Sequence, residues 1–327
     1  MKEEEIRPKK IFDEYLRLTA LDTHAYFSGV ASLPISCPAC GTQGHFQFQK
    51  LGFSYELCPN CDTLYVSPRP KKESFTDYYT NSSSAKFWAD VFYKKTAEAR
   101  KEKLWKPKAS LILELLSRYK CNEHILVDIG GGYGLFAQLI QETSTRKCIV
   151  IEPNPHLAKH CKDKGLAVVQ KFLEEIDCHD LPNTPKVFVS FELFEHLHDV
   201  DEFVNTLKLL MREGDYFIFS TLSSTGVDIR TLWDKSKSVS PPHHLNFFNP
   251  FSIQLLLTRL GFDCLDVSTP GKIDIDIMSN NREQIEDRFW KAFISHASVK
   301  QKATFQKFLS DNGWSSHMMT ICKLADQ

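Results

Sequence analysis

Two pairs of cysteines, Cys37-Pro-Ala-Cys40 and Cys58-Pro-Asn-Cys61, stand seventeen residues apart. In a C-x2-C step the chain turns tightly enough for both thiolates to face one point, and two such knuckles complete a tetrahedral four-cysteine zinc site. Two unrelated pairs of buried or redox thiols are the alternative, and the matching spacing of both pairs favours the metal. Four thiolates leave no open position, so the ion is expected to be structural. Between the pairs, HFQFQKLGFSYEL alternates like a β-hairpin with its own small apolar face.

A second set of residues spans 125–137, ILVDIGGGYGLFA. An apolar run ending in Gly130, Gly131, Gly132 and Gly134 reads as a buried strand that stops at a tight turn. Leu135, Phe136, Leu139 and Ile140 then continue at helical spacing. A helix N-terminus after such a turn offers free N–H groups to a polar or anionic ligand. A dinucleotide G-x-G-x-x-G would put its third glycine at 135, where this chain has Leu135. Asp128, two residues before the first glycine, would repel a pyrophosphate and suits an ammonium. Glu152, followed by Pro153 at the end of the next strand, is placed to accept ribose hydroxyls. Together these residues ask for a nucleoside joined to an amino acid.

A third set could move protons. Glu192, Glu195 and His196 fall at i, i+3 and i+4, which predicts one face of a helix start just past a strand. His243 and His244, in PPHHLNFF, follow a loop over 222–242 long enough to form a lid or substrate wall. An imidazole there could serve as a base. Two carboxylates with one or two imidazoles could equally ligate Mg²⁺, Mn²⁺ or Zn²⁺, and Glu195 with His196 could be no more than an ion pair at a helix start. The remaining cysteines, Cys121, Cys148, Cys161, Cys178, Cys264 and Cys322, have no paired spacing and read as small packing residues. His160, His179 and His198 read as surface or helix-end residues.

The elements that must position these groups alternate strand and helix. Strands are expected at 147–151, 166–169, 186–191, 216–222, 262–268 and 318–324, with helices at 155–164, through 210, and at 252–260. Such alternation implies a mostly parallel sheet covered on both faces. Upstream, Ile11, Phe12, Tyr15, Leu16 and Leu18 form the stripe of a docking helix. Pro-Arg-Pro and Asn-Ser-Ser-Ser mark loop, and Tyr78-Tyr79 precedes the latter. Charged helices are expected at 86–106 and 107–119, and one long helix at 283–310. The chain therefore divides into a docking helix (1–30), a four-cysteine zinc module (31–68), a linker with helix (69–106) and an α/β domain (107–327).

Composition bounds the function classes. The 327 residues carry 40 basic and 41 acidic side chains, so no global field draws the protein to nucleic acid or membrane. No apolar run reaches the length of a membrane span. The start, MKEEEIRPKK, is too charged for a signal peptide, and ten cysteines then suggest a reducing, cytoplasmic setting.

VDIGGGYG with IEP resembles motif I and the second-strand acid of class I S-adenosylmethionine-dependent methyltransferases. VSFELFEHLHD (189–199) resembles their fourth-strand motif, and LLMREGDYFIFST the turn into strand five, with Arg212-Glu213-Gly214-Asp215 in place of Pro-Gly-Gly. HHLNFFNPFSIQLLLTRLGFD resembles the segment before strand six. The paired cysteine knuckles are similar to those of a subgroup with an N-terminal zinc domain, among them sugar C-methyltransferases of nucleotide-linked deoxysugars. Those enzymes carry a further C-terminal domain with no counterpart in this sequence. The resemblance implies a Rossmann-like, mostly parallel, seven-stranded methyltransferase sheet with a small zinc ribbon. It implies S-adenosylmethionine held by Asp128, the 130–134 turn and Glu152, with Phe172 or Leu173 flanking the adenine and Phe191 and Glu192 below the ligand. It further implies a small-molecule acceptor, a nucleotide-linked or glycan-precursor sugar, with His244 as base and His243 where those enzymes have Glu. The rival metal site, Glu192, Glu195, His196 and a later histidine, resembles that of small-RNA and ubiquinone-pathway O-methyltransferases. A zinc-ribbon binding module on an inactive Rossmann scaffold is the reading from another class. Oligomeric state is not encoded in any of these patterns.

Overall fold

The computed structural model describes residues 1–325. Thirteen strands occur among them: β1 Ser32–Leu33, β2 His45–Lys50, β3 Phe53–Leu57, β4 Leu64–Val66, β5 Arg69–Pro70, β6 Ile125–Ile129, β7 Cys148–Ile151, β8 Ala167–Val169, β9 Lys186–Phe191, β10 Tyr216–Leu222, β11 Asn246–Phe247, β12 Phe262–Ser268 and β13 His317–Leu324. Seven form the main sheet in the order β12-β13-β10-β9-β6-β7-β8. From β10 to β8 every pairing is parallel, and β13 inserts antiparallel between β10 and β12. The parallel part is the sheet that the alternating pattern predicts, and with the reversed β13 it makes the seven-stranded Rossmann-like sheet that the resemblance implies.

The pleat explains the central strands' apolar sequences. Val127 and Ile129 face one core with Phe188, Phe217 and Phe219, while Leu126, Val187 and Val189 face the other with Phe136 and Ile140. A strand buried on both faces has no polar side to show, so it reads as a continuous hydrophobic run.

The cysteine module is not a detached appendage. Its hairpin, β2 and β3, pairs through β4 with β11, a strand contributed by residues far downstream. Val66 N–H donates to the Leu245 carbonyl at 2.9 Å. Arg69 is buried and reaches the same segment. Its guanidinium donates to the carbonyl of His198 at 2.5 Å, to that of Leu245 at 3.3 Å and to Asn246 Oδ1 at 2.9 Å. Asn246 in turn donates to the Leu197 carbonyl at 2.7 Å. Of Pro-Arg-Pro, expected as loop, Arg69–Pro70 form a short strand because they pair antiparallel with Ser32–Leu33.

The cysteines sit where the spacing places them. Cys37 and Cys61 sulfurs are 3.5 Å apart, Cys40 and Cys58 3.5 Å, and Cys40 and Cys61 3.6 Å. A tetrahedron with Zn–S of about 2.3 Å has sulfur–sulfur edges of about 3.8 Å. The donor set and its spacing fit such an ion after a small expansion. Both knuckles dock on the helix Pro250–Arg259, with Arg259 donating to the Pro38 carbonyl and Asn249 to that of Cys61.

Several boundaries differ from expectation. Lys72–Asn81 is helical, and Ser82 caps the next helix through its hydroxyl. From Ser83 to Arg118 helical backbone is unbroken, with wider π-wound stretches at Trp88–Tyr93 and Lys101–Trp105. The expected break between 106 and 107 does not occur, because Pro107 stands in the first turn of a helical segment that simply continues. The expected helix at 283–310 is two, Arg288–His296 and Val299–Asp311, divided where Ser298 acts as a side-chain cap. The 222–242 loop holds its own helix, Val227–Leu232, buried against Asp274–Asn280. No helix of the described residues is long and apolar enough to cross a membrane.

Replacing Arg69 with Met would leave the carbonyls of Leu197, His198 and Leu245 without this donor in a buried site. We expect a loss of about 3 kcal/mol in chemical denaturation. A loss under about 0.5 kcal/mol would show that the arginine does not tie the two segments together.

Candidate active site

The glycine turn lies at the carboxyl end of β6. Gly134 has φ of +68°, and a Cβ there would fall 2.5 Å from Leu166 Cδ1 and 2.8 Å from Cys161 Sγ. Conformation and space both demand glycine. A Cβ on Gly131 would stand 2.8 Å from Asp128 Oδ2, so its absence leaves that carboxylate open to the turn. Asp128 is buried, and its Oδ2 has no hydrogen-bond partner. Burial and the nearby Glu152 push its carboxyl up to about 7. An unpartnered buried carboxylate facing a glycine turn fits the ammonium of an amino-acid-bearing nucleoside.

Glu152 ends the next strand. One of its oxygens accepts from Gly132 N–H at 2.8 Å and the other from Asn154 N–H at 2.9 Å, and burial raises its pKa to about 7. Each oxygen keeps a second lone pair for a ligand hydroxyl. Pro153 follows directly and breaks the strand before Asn154 caps the helix Pro155–Asp163. Phe172 is 48% exposed, whereas Leu173 is packed into the core against the sheet. Of the two, only Phe172 has a face free for an adenine.

At the end of β9 the structure corrects the expected helix face. Glu192 has φ of +55°, and Phe194–His196 is a single 3-10 turn rather than a helix start. The reversal sends the two carboxylates to different places. Glu192 accepts from Ser220 Oγ at 2.6 Å, pairs with His317 Nε2 at 2.7 Å and meets Lys108 Nζ at 3.4 Å. His317 and Lys108 hold it ionised, well below the usual carboxylate range. Lys108 also lies over the ring of Phe191, 4.5 Å from its centroid.

Glu195 instead joins His196 and His244. One ligand atom from each lies within 4.8 Å of the others. Thr221 Oγ1 donates to Glu195 at 2.8 Å, and burial beside Glu192 raises the Glu195 carboxyl to about 8. His244 donates its Nδ1–H to the Ser238 carbonyl at 2.5 Å, which leaves the lone pair on Nε2. Burial depresses its pKa to about 4, so the ring is neutral at pH 7. His243, its neighbour in sequence, points elsewhere: Nε2 lies 2.8 Å from the Tyr15 hydroxyl and 2.9 Å from that of Tyr78. That nitrogen is already occupied by protein hydroxyls.

The third and second sets are therefore adjacent, but not all on one face. Sequence reasoning missed Lys108, which reads as one more charge on a solvated helix, and His317. Only the antiparallel register of β13, which sets His317 opposite Leu222, brings that histidine to Glu192. Tyr15 and Tyr78 are visible in the sequence as apolar stripe and aromatic pair, without a role. The hydroxyl of Tyr79 is buried with no partner, its ring 5.5 Å from that of His243.

The sheet order, with its reversed β13 and an acid-glycine-acid set at the ends of β6 and β7, defines a nucleoside-binding Rossmann-like fold. A family profile described as a methyltransferase domain matches residues 97–267, just over half the chain, and the chain belongs to that family of S-adenosylmethionine-dependent methyltransferases. Among solved structures it is similar to an S-adenosylmethionine-dependent methyltransferase from Clostridium acetobutylicum ATCC 824, 10% identical over 72% of this chain and 99% of that one, with a TM-score of 0.46. It is also similar to one from Archaeoglobus fulgidus, 18% identical over 68% and 97% with a TM-score of 0.41. A third, from Mesorhizobium loti, is 12% identical over 61% and 89% with a TM-score of 0.40. None of the curated proteins compared matches the chain.

The raised Asp128 carboxyl sets a pH dependence. An ammonium is bound by the ionised form, which exists above about 7. Calorimetry should show S-adenosylhomocysteine bound about tenfold more weakly at pH 6 than at pH 8. Asp128→Asn should bind weakly at both, with a flatter profile; a wild-type-like profile in that variant would remove Asp128 from the ligand.

Proposed function

We propose that the protein transfers the methyl group of S-adenosylmethionine to a hydroxyl or carbon of a small molecule, a nucleotide-linked or glycan-precursor sugar. When bound, the sulfonium supplies an electrophilic methyl group. The chain's own work is to orient donor and acceptor and to take a proton. Asp128 and the backbone of 130–134 receive the amino-acid end, Glu152 receives the ribose, and Phe172 covers the base. His244 is the base. The observation that carries this role is its fixed tautomer: with Nδ1–H given to Ser238, Nε2 carries a free lone pair on a half-buried neutral ring beside Glu195 and His196. His243 supports it from behind through Tyr15 and Tyr78. Cys37, Cys40, Cys58 and Cys61 hold a structural zinc ion, and residues 31–68 act as a module that fixes the acceptor side while 107–327 bind the donor.

A second reading keeps the same cluster but uses it for metal. Glu195, His196 and His244 are close enough for one divalent ion, and Glu192, committed to His317 and Ser220, is not part of it. In that case methylation of a hydroxyl is metal-assisted.

Calorimetry with S-adenosylmethionine separates an enzyme from an inactive binding module: a folded, zinc-loaded protein that binds none of it would end the enzyme reading. Once a thermal-shift screen of nucleotide sugars in the presence of S-adenosylhomocysteine identifies an acceptor, His244→Ala should lower kcat by about 10²–10⁴ with donor affinity unchanged. Unchanged kcat would exclude His244 as base. Activity that a chelator abolishes while the cysteine-bound zinc is retained, and that Mg²⁺ or Mn²⁺ restores, would instead establish the metal reading.

A further inference from the structure

The continuous helix over 83–118 carries three residues at seven- and eight-residue spacing, Tyr93, Arg100 and Lys108, which places them on one face. Both outer members touch the donor site. Tyr93 stacks on Tyr133 within the glycine turn, with ring centroids 3.7 Å apart, and Lys108 meets Glu192. Arg100 lies between them. Its Nε is buried without a hydrogen-bond partner, and no ion pair satisfies its guanidinium among the described residues. The short helix Glu3–Ile6 packs against the same stretch and ends at Arg7. Arg7 rests over the ring of Phe12, 5.6 Å from its centroid, and is also without a carboxylate partner among the described residues. The two guanidiniums repel one another and Arg100 feels the field of Glu192, while Phe12, beneath Arg7, stacks on Tyr15, whose hydroxyl meets His243. They therefore border both the donor and the acceptor side.

The acids that could neutralise them are already engaged. Glu192 is shared among Ser220, His317 and Lys108, and Glu195 accepts from Thr221. Both arginines are half-buried, and the buried Nε of Arg100 is a costly unpaired donor unless a ligand draws the guanidinium into a hydrogen bond. The donor makes the imbalance worse, since its ammonium and sulfonium outweigh its one carboxylate.

We propose that Arg7 and Arg100 form an anion-binding site at the mouth of the donor cradle, one that takes a carboxylate or phosphate group. Two sources share this chemistry: the carboxylate of the donor's methionine half, and an anionic group on the acceptor. Guanidinium forks suit either by bidentate hydrogen bonds. The location rests on the methyl-transfer reading, since the cradle is what Tyr93 and Lys108 flank.

The test uses the full chain, with Arg100→Gln, Arg7→Gln and the charge-retaining Arg100→Lys. In the donor arm, calorimetry compares S-adenosylhomocysteine with 5′-methylthioadenosine, which lacks the amino-acid end. If the donor carboxylate is the anion, Arg100→Gln should weaken the first about tenfold and leave the second unchanged, with partial recovery in Arg100→Lys. In the acceptor arm, inorganic pyrophosphate is titrated at constant ionic strength with S-adenosylhomocysteine present. If the acceptor supplies the anion, pyrophosphate should raise the melting temperature of the wild type by several degrees and that of Arg7→Gln or Arg100→Gln by much less. Either result supports the site and names its source. Wild-type-like donor affinity in both glutamine variants, with no pyrophosphate effect on the wild type, overturns it. Should Arg100→Gln fail to fold, Arg7→Gln and Arg100→Lys decide the same comparison. A wild type that binds neither nucleoside would defeat the methyl-transfer reading alone, and pyrophosphate titrated without nucleoside would then judge the arginines.

Discussion

The short antiparallel pairing of Asn246–Phe247 with Leu64–Tyr65 is the constraint on which the site depends. It is only two residues long and would hold nothing by itself. Its strength comes from what crosses it: the Arg69 guanidinium, the Asn246 amide, and the Tyr55 hydroxyl that donates to the His244 carbonyl at 2.7 Å. Leu245 N–H also donates to the Glu195 carbonyl at 2.6 Å. The backbone on either side of His244 is thus fixed by a module that folds around four cysteines and by the turn after β9. Proton chemistry needs an imidazole held within a few tenths of an ångström, and neither segment could do that alone.

The site's electrostatics follow from the same crowding. Glu192 crowds Glu195, and Glu152 crowds Asp128, with too few cations to keep all four ionised. Glu192 takes the hydrogen-bonding partners, His317 and Lys108, and stays charged, while Glu195 and Asp128 are pushed up. The positive φ of Glu192 produces that division, because it turns one carboxylate toward β13 and leaves the next for the histidines. A strained backbone residue is thereby given a role that a regular helix start would not offer.

Much of this is legible in the residues themselves. The strands of the main sheet and the position of the nucleoside turn follow from apolar runs alternating with helices and from an acid-glycine-acid pattern whose spacing disfavours a pyrophosphate. The cysteine tetrad follows from spacing alone. Glu192, Glu195 and His196 can be found but not correctly assembled, since sequence spacing predicts a helical face and cannot show a left-handed residue at a non-glycine position. Lys108 and His317 stay hidden for a different reason. One lies on a helix that looks solvated, the other on the last strand, and only tertiary register brings them to β9. The break expected between 106 and 107 fails because Pro107 directly follows the π-wound stretch Lys101–Trp105, an irregularity in the hydrogen-bond ladder that accommodates a residue without an N–H.

The borrowed strand also bears on how such a protein can change over generations. A sheet whose fourth strand comes from another part of the gene cannot be exchanged as a cassette. Recombination that brought in a different cysteine module would have to bring a compatible 245–247 segment with it, or lose the hydrogen bonds that hold the neighbouring histidine. The two segments are therefore obliged to travel together, although nearly two hundred residues of sequence separate Leu64 from Phe247.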